Sequence, residues 1–157
     1  MKNSVKVLLA LVLVFTCLTQ PVYAADPGQT GTIQYEGKKV QVSIGEIDKD
    51  DKGNTTVQIL TNFEVVLQGL DSNTAMAAFL KVIKVKIVAR NETFEASSFS
   101  IKAGGMEMTV NAGGKMVTKI SHGIYHFDAA VLPEKIIIYN EQGSSLTFNG
   151  KTKKIIK

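Results

Sequence analysis

Ile83-Lys-Val-Lys-Ile-Val-Ala-Arg90 is the stretch that decides the fold. Ile83, Val85, Ile87 and Ala89 fall on one side of an extended chain, and Lys84, Lys86 and Arg90 on the other. A period of two is what a strand with one buried face requires, and the strand is read as running from Phe79 to Arg90. Working upstream, Val40, Val42 and Ile44 alternate with Lys39, Gln41 and Ser43 after a strand over Thr30–Tyr35 and the turn Glu36-Gly37-Lys38. Asp48–Asn54 is a charged loop, and Thr56–Leu60 and Phe63–Leu67 resume the β pattern. Downstream, strands are expected at Phe99–Lys102, Met106–Val110 and Ile124–Val131, with the pairs Gly104-Gly105 and Gly113-Gly114 as turns. Ile136–Tyr139 is a continuous apolar run, as in a central strand.

Leu146–Phe148 and Lys151–Ile156 flank Asn149-Gly150, the pair preferred in a two-residue type I′ hairpin because both central residues take positive φ. Asp71–Lys81 is the only helix candidate, of one to two turns, with Ser72 or Asn73 as its cap. Roughly nine or ten short strands with so little helix mean a sandwich or a barrel. We expect an all-β fold, an immunoglobulin-like antiparallel β-sandwich with at most one short helix. Pro133, just before the Ile136 strand, suits an edge or a corner. The chain has no Trp and a single Cys, so the sandwich lacks the disulfide and tryptophan of antibody domains.

The N-terminus has a different character. Lys2 and Lys6 precede an apolar run from Val7 to Leu18, which Gln20-Pro21 ends, and Val22-Tyr23-Ala24 presents small or aliphatic residues at the −3 and −1 positions of a signal-peptidase site. The run is shorter than the roughly 18 apolar residues needed to span a bilayer. Residues 1–24 are therefore expected to be a signal peptide cleaved between Ala24 and Ala25, leaving 25–157 as a single domain. Cys17 raises the alternative of a lipid anchor, but Phe15 and Thr16 stand where a lipobox wants small residues. Cleavage at Ala24 leaves no cysteine, hence no disulfide and no thiol nucleophile. It also removes two of the 18 basic residues and none of the 14 acidic ones, lowering the net charge from +4 to +2. That balance argues against nucleic acid as a partner, and membrane association would come only through the lipid anchor. Secretion or residence in a bacterial cell envelope is the expected location, since export without disulfides is common there.

Three stretches carry a family resemblance: Val85-Lys-Ile-Val-Ala-Arg-Asn91, Phe99-Ser-Ile-Lys-Ala-Gly-Gly105 and Ile124-Tyr-His-Phe-Asp-Ala-Ala-Val-Leu-Pro133. Together they resemble the telokin-like domain, an immunoglobulin-type domain of unknown function in exported proteins and lipoproteins of Gram-positive bacteria. The match covers roughly Phe79 to Phe148. The segment between Thr61 and Phe79 is longer than the family's pattern, and the family has no assigned catalytic residues to carry over.

Two constellations could bear metal. Asp48, Asp50 and Asp51 ahead of Gly53 resemble a calcium loop, but Lys52 occupies a ligand position and Ile59 stands where a closing glutamate belongs. Met106, Met108, Met116, His122 and His126 contain the soft thioethers and imidazoles that copper carriers use. His122 and His126 share a strand face but lie about 13 Å apart along it at about 3.3 Å per residue. His126 and Asp128 are nearer, about 7 Å apart, and point outward if Tyr125, Phe127, Ala129 and Val131 point in. Met106, Met108 and Val110 read as a core stripe with Glu107 and Thr109 outside. No Ser-His-Asp set, glycosidase carboxylate pair or phosphate-binding glycine motif is singled out; Ser121 beside His122 is adjacency only. Lys151, Lys153, Lys154 and Lys157 either attract anionic surfaces or guard a terminal strand against edge pairing.

The sequence thus supports a non-catalytic binding or interaction module without cofactor, its partner an unidentified extracellular protein or cell-envelope component. The alternative is a copper-handling sandwich drawing on His122, His126, Asp128, Met106 and Met108.

Overall fold

The computed structural model describes residues 28–69 and 71–157. The expected signal segment 1–24, Cys17 and the Ala24–Ala25 bond lie outside the described residues. Among the described residues ten strands and one helix follow in order: β1 (Gly31–Tyr35), β2 (Lys38–Lys49), β3 (Thr55–Leu67), α1 (Ser72–Val82), β4 (Lys84–Ala89), β5 (Glu92–Glu95), β6 (Ser98–Ile101), β7 (Met106–Val110), β8 (Met116–His126), β9 (Lys135–Tyr139) and β10 (Ser145–Asn149). Every pairing is antiparallel. The larger sheet runs β1-β2-β3-β8-β6, with β7 also on β8, and the smaller runs β10-β9-β4-β5. The protein is an all-β sandwich of two antiparallel sheets with one short helix.

The inner faces supply the core. Val40, Val42 and Ile44 from β2, Val57, Ile59 and Phe63 from β3, and Ile120 and Tyr125 from β8 are buried. Opposite them are Ile83, Val85, Ile87 and Ala89 with Ile136, Ile138 and Phe148. The alternation read at Ile83–Ala89 and Val40–Ile44 is thus the pattern of burial. Ile136–Tyr139 is indeed central, between β4 and β10. Tyr125, Phe127 and Val131 point inward, and Asp128 is exposed.

The expected strand from Phe79 is corrected: Phe79–Val82 is the end of an eleven-residue helix, longer than the one to two turns expected. Asp71, rather than Ser72 or Asn73, is its cap, and its carboxylate accepts the Thr74 N–H at 3.0 Å. Ala75, Phe79 and Val82 are its buried side. This i, i+4, i+7 spacing lets the helix bury a stripe, and that outweighs the β propensity of its last residues. Glu92–Glu95 is a strand the sequence did not disclose, joined to β4 through Arg90 (φ 52°) and Asn91 (φ 64°).

Three further readings change. β8 begins at Met116, eight residues before the expected Ile124, and ends at His126. Its alternation is broken by a bulge: the N–H groups of Ser121 and His122 both address the Gly105 carbonyl, at 2.6 and 3.4 Å. Inward positions therefore change from even (Thr118, Ile120) to odd (Gly123, Tyr125), which hides the strand from a period-two reading. Met106, Met108 and Val110 are not a core stripe; Met106 is half-buried, Met108 46% exposed and Val110 66% exposed. β7 is an outer strand paired only with β8, and little of the second layer covers it.

Asn149-Gly150 is not a two-residue type I′ turn either. The chain reverses over Asn149–Lys153, Lys153 N–H donating to the Asn149 carbonyl at 2.9 Å, and Lys153 takes the positive φ. The expected strand after it reduces to a bridge between Phe148 and Ile155. Gly150 is needed for closeness instead: a Cβ there would overlap the Pro133 carbonyl.

Two outcomes follow from this packing. Val85, 2% exposed and opposite Ile138, should not tolerate charge. Val85→Asp is expected to cost about 3 kcal/mol or more in urea denaturation, because the carboxylate has no partner there. Lys86→Ala, on the opposite face over the Tyr139 ring, should cost about 1 kcal/mol or less.

The cap gives a pH signature. Hydrogen bonds from Thr74, backbone first and then side chain, hold the Asp71 carboxyl below its ordinary value of 3.8. A depressed carboxyl stabilises above its unfolded pKa, and that contribution is lost as pH falls through the folded value. Asp71→Ala should therefore lower the urea midpoint at neutral pH, with the gap to wild type closing below pH 3.8. Asp71→Asn, an equally good cap, should restore most of the neutral-pH loss without the acid dependence.

Candidate functional site

The outer face of the larger sheet carries the histidines. The bulge in β8 turns Ser121 and His122 together, with Ser121 Oγ 2.9 Å from His122 Nδ1 and also donating to the Gly105 carbonyl at 3.1 Å. Ser100 on β6 lies across from the other end of β8, its Oγ 2.9 Å from His126 Nε2. Each imidazole is thus held by one serine. A shallow groove of about 300 Å³ runs beside His126, lined by Glu46, Asp48, Thr56, Gln58 and Lys102, and inside it Lys102 and Glu46 form an ion pair of 3.6 Å.

These positions do not converge on a metal centre. Among the described residues no group of three or more His, Cys, Asp or Glu side chains could hold an ion. Asp128 is exposed beyond the end of β8, and Met106 and Met108 stand on the opposite half of β8's edge from His126. The charged loop expected from Asp48 is shorter, since Asp48 and Lys49 close the β2–β3 ladder. Within Asp50–Asn54, Asp50 Oδ1 accepts the Lys52 and Asn54 N–H groups, both at 2.9 Å, so this carboxylate shapes the hairpin.

A more developed concavity lies where the larger sheet splits. The β2–β3 ladder stops at Val42↔Thr61. One residue further, the Gln41 N–H donates to the Asn62 side-chain oxygen at 2.9 Å instead of to a backbone carbonyl. Thr61 Oγ1 takes the Phe63 N–H at 3.1 Å. From there Lys38–Gln41 pair only with β1 and Phe63–Leu67 only with β8, so the two strands separate like a fork.

The resulting cleft has a volume of about 720 Å³. Val40, Phe63 and Val82 form an apolar floor, with α1 closing the inner side through Ala78, Lys81 and Val82. Lys38, Lys39, Lys81 and Lys119 stand on the rim against Glu36 and Glu64. None of the six is in an ion pair; the single pair among the described residues is Lys102–Glu46. Tyr35 completes one wall, its phenol held above the ordinary range by desolvation, then by Glu141 and Glu36.

Sequence reasoning did not single out these residues. The available signal was the interruption at Thr61-Asn62, where the alternation pauses between Leu60 and Phe63; polar side chains there can replace backbone partners. Another concavity, of about 800 Å³, lies under the Ala130–Glu134 loop beside Arg90. There Glu134 holds the loop, accepting from Arg90 N–H at 3.2 Å through its carboxylate and from Gly150 N–H at 2.9 Å through its carbonyl. On the smaller sheet, the Tyr139 hydroxyl donates to Glu95 Oε1 at 2.6 Å and Lys86 Nζ lies 4.7 Å from its ring centroid. Desolvation and that carboxylate push the Tyr139 phenol up to about 12.

Comparison with protein-family models, curated proteins and solved structures returns no match to this chain. Its chemistry is therefore read from the geometry. For metal that geometry makes a definite prediction: titration with Cu(I) or Zn(II) should show binding no tighter than about micromolar, because two serine-held histidines on separate positions make no three-ligand site. Nanomolar Cu(I) affinity abolished by Met106→Leu with Met108→Leu is the result that would reverse this.

Proposed function

We propose that this chain is an exported, non-catalytic binding module on an immunoglobulin-like sandwich, with the β2–β3 fork as its ligand-holding surface. The fork carries the reading: it combines an apolar floor, unpaired rim charges and open strand edges in one cleft of about 720 Å³, within the usual size range of ligand sites. Two antiparallel sheets packed face to face are the general architecture that an immunoglobulin-like sandwich requires, and the telokin-like resemblance rests on Val85–Asn91, Phe99–Gly105 and Ile124–Pro133. Lys2, Lys6, the Val7–Leu18 run and Val22-Tyr23-Ala24 support export. The partner is an extracellular protein or a component of the cell envelope.

Two measurements test this. The intact mass of exported protein should correspond to a chain beginning at Ala25, and a diacylated Cys17 would replace secretion by anchoring. Amide chemical shifts should then be followed during titration with short acidic and basic peptides, wall-polymer fragments and fatty acids. The expected perturbations gather on Lys39, Val40, Asn62, Val65 and Lys81. Perturbations gathering instead around Ser100 and His126, or a probe recovered chemically altered, would overturn the proposal.

A further inference from the structure

We infer that the fork takes an extended acidic peptide as an added strand, a deepening that rests on the binding-module reading above. Strand addition needs a backbone edge whose N–H and C=O groups are free, together with pockets for alternate side chains. The fork presents two edges facing one another, Lys38–Gln41 on β2 and Phe63–Leu67 on β3, each laddered on its far side only. The Gln41 and Phe63 N–H groups at the closed end are held by Asn62 and Thr61, so the open donors lie beyond them. Asn62 and Thr61 fill the point where the edges meet and so fix the length of the opening. The β3 side is five residues long, about 17 Å at roughly 3.3 Å per residue.

The other edges of the molecule are closed or blunted. Along the outer edge of β1, Gln34 N–H donates to Ser144 Oγ at 2.9 Å, Glu36 N–H to Gln142 Oε1 at 2.7 Å, and Asn140 Nδ2 to the Gln34 carbonyl at 2.8 Å. The chain end covers β10, with Ile156 N–H on the Thr147 carbonyl at 2.9 Å. β5 has only four residues, and the edge formed by β6 and β7 is interrupted at Gly104-Gly105. Covering, shortening and bulging are the ordinary means of preventing edge association. At the fork the bulge at Thr61-Asn62 marks only its closed end, the β2 side is four residues long, and the β3 side beyond the bulge is left uncovered with an apolar floor beneath.

Period two then dictates the partner's character. On a strand laid in the fork, one set of side chains meets Val40, Phe63 and Val82 and the other faces the rim. Four lysines against two glutamates make that rim net positive, so the second set is acidic. Lysines can also act as guards that repel a neighbouring edge; a guarded edge binds no peptide, which makes the two roles separable.

The probe is a fluorescent, end-blocked peptide of about eight residues alternating Glu and Val, long enough to overlap the edge at roughly 3.3 Å per residue. Controls are its Lys–Val counterpart, the same acidic peptide N-methylated at alternate amides in either register, and laurate. Anisotropy at low ionic strength should show binding of the acidic peptide and not of the basic one. N-methylation should weaken it more than about tenfold, since each methyl removes a ladder donor. Lys39→Glu with Lys81→Glu should weaken it about tenfold, and added salt should reproduce part of that loss. The N-methyl comparison uses the unaltered protein, so it stands even if the charge-reversed variant folds poorly.

Equal affinity for the N-methylated peptide would overturn strand addition and leave an ionic contact. Laurate shifting Phe63 and Val82 amides while no peptide binds would overturn it too, but would keep the cleft as a binding surface. If no probe perturbs the cleft, the inference and the binding-module reading fall together.

Discussion

The Ile83 carbonyl leaves the end of α1 inside the core, where the chain turns from helix into β4. Its own N–H is occupied, donating to the Phe79 carbonyl at 2.9 Å. The Tyr125 hydroxyl, 42 residues away on β8, donates to the carbonyl at 2.6 Å. An unpartnered buried carbonyl costs about 1–3 kcal/mol, so a crossing from one sheet to the other through the core needs such a donor. Burial raises the Tyr125 phenol well above its ordinary value of 10.0 and keeps the donor protonated. For a group whose folded pKa is raised, the stabilisation is complete below the unfolded value and is lost as pH rises through the folded one. The crossing is thus secured at any neutral pH.

Much of the packing is arranged around that bond. Tyr125 shares a cluster with Phe99 and Phe79, ring centroids 5.0 and 6.4 Å away, and Phe79 stacks on Phe99 at 5.2 Å and meets Phe63 edge-on at 5.4 Å. The rings come from α1, β3, β6 and β8, so one cluster fixes the helix against the larger sheet. Gly123 makes room for it; a Cβ there would run into the Phe99 ring. A glycine within a strand usually weakens it, and here an aromatic neighbour covers the gap. The return crossing after β8 uses the same device. Thr55 Oγ1 donates to the Val131 carbonyl at 2.6 Å and accepts the Val131 N–H at 3.0 Å, both buried.

How far these features can be seen in the sequence depends on whether a residue's role is local. Val40–Ile44 and Ile83–Ala89 were legible because a regular strand shows its buried face as alternation. The Glu36-Gly37 turn was legible because its backbone demand is local, with φ of 51° and 76°. Asn149-Gly150 misled for the opposite reason: Gly150 answers to Pro133, a contact that only the folded chain reveals. β8 was cut short because the bulge at Ser121-His122 exchanges the buried parity, and the Gly105 carbonyl causing it is far away in sequence. Met106, Met108 and Val110 alternate correctly, yet alternation does not say whether a second layer covers the strand. The fork was the least visible element. Its residues look like two ordinary strand ends, and only pairing shows that they fail to meet.

The fork and the core crossing are linked through α1. Ile59 and Phe63 lie on one face of β3, yet the smaller sheet does not extend over the strand's far end, and α1 supplies the cover there with Phe79 against Phe63. A helix placed across a sheet cannot donate to or accept from the strands beneath it, because its own N–H and C=O groups are used internally. It therefore secures the apolar face of β3 while leaving the strand's backbone edge unpaired. Had β2 continued past Val42 against β3, that edge would be consumed by the ladder. Asn62 and Thr61 end the ladder by offering side-chain oxygens in place of carbonyls, and so separate two requirements that a regular sheet fulfils together, a buried face and a paired edge. The core is completed by the helix, and the edge remains open to a partner that carries its own backbone.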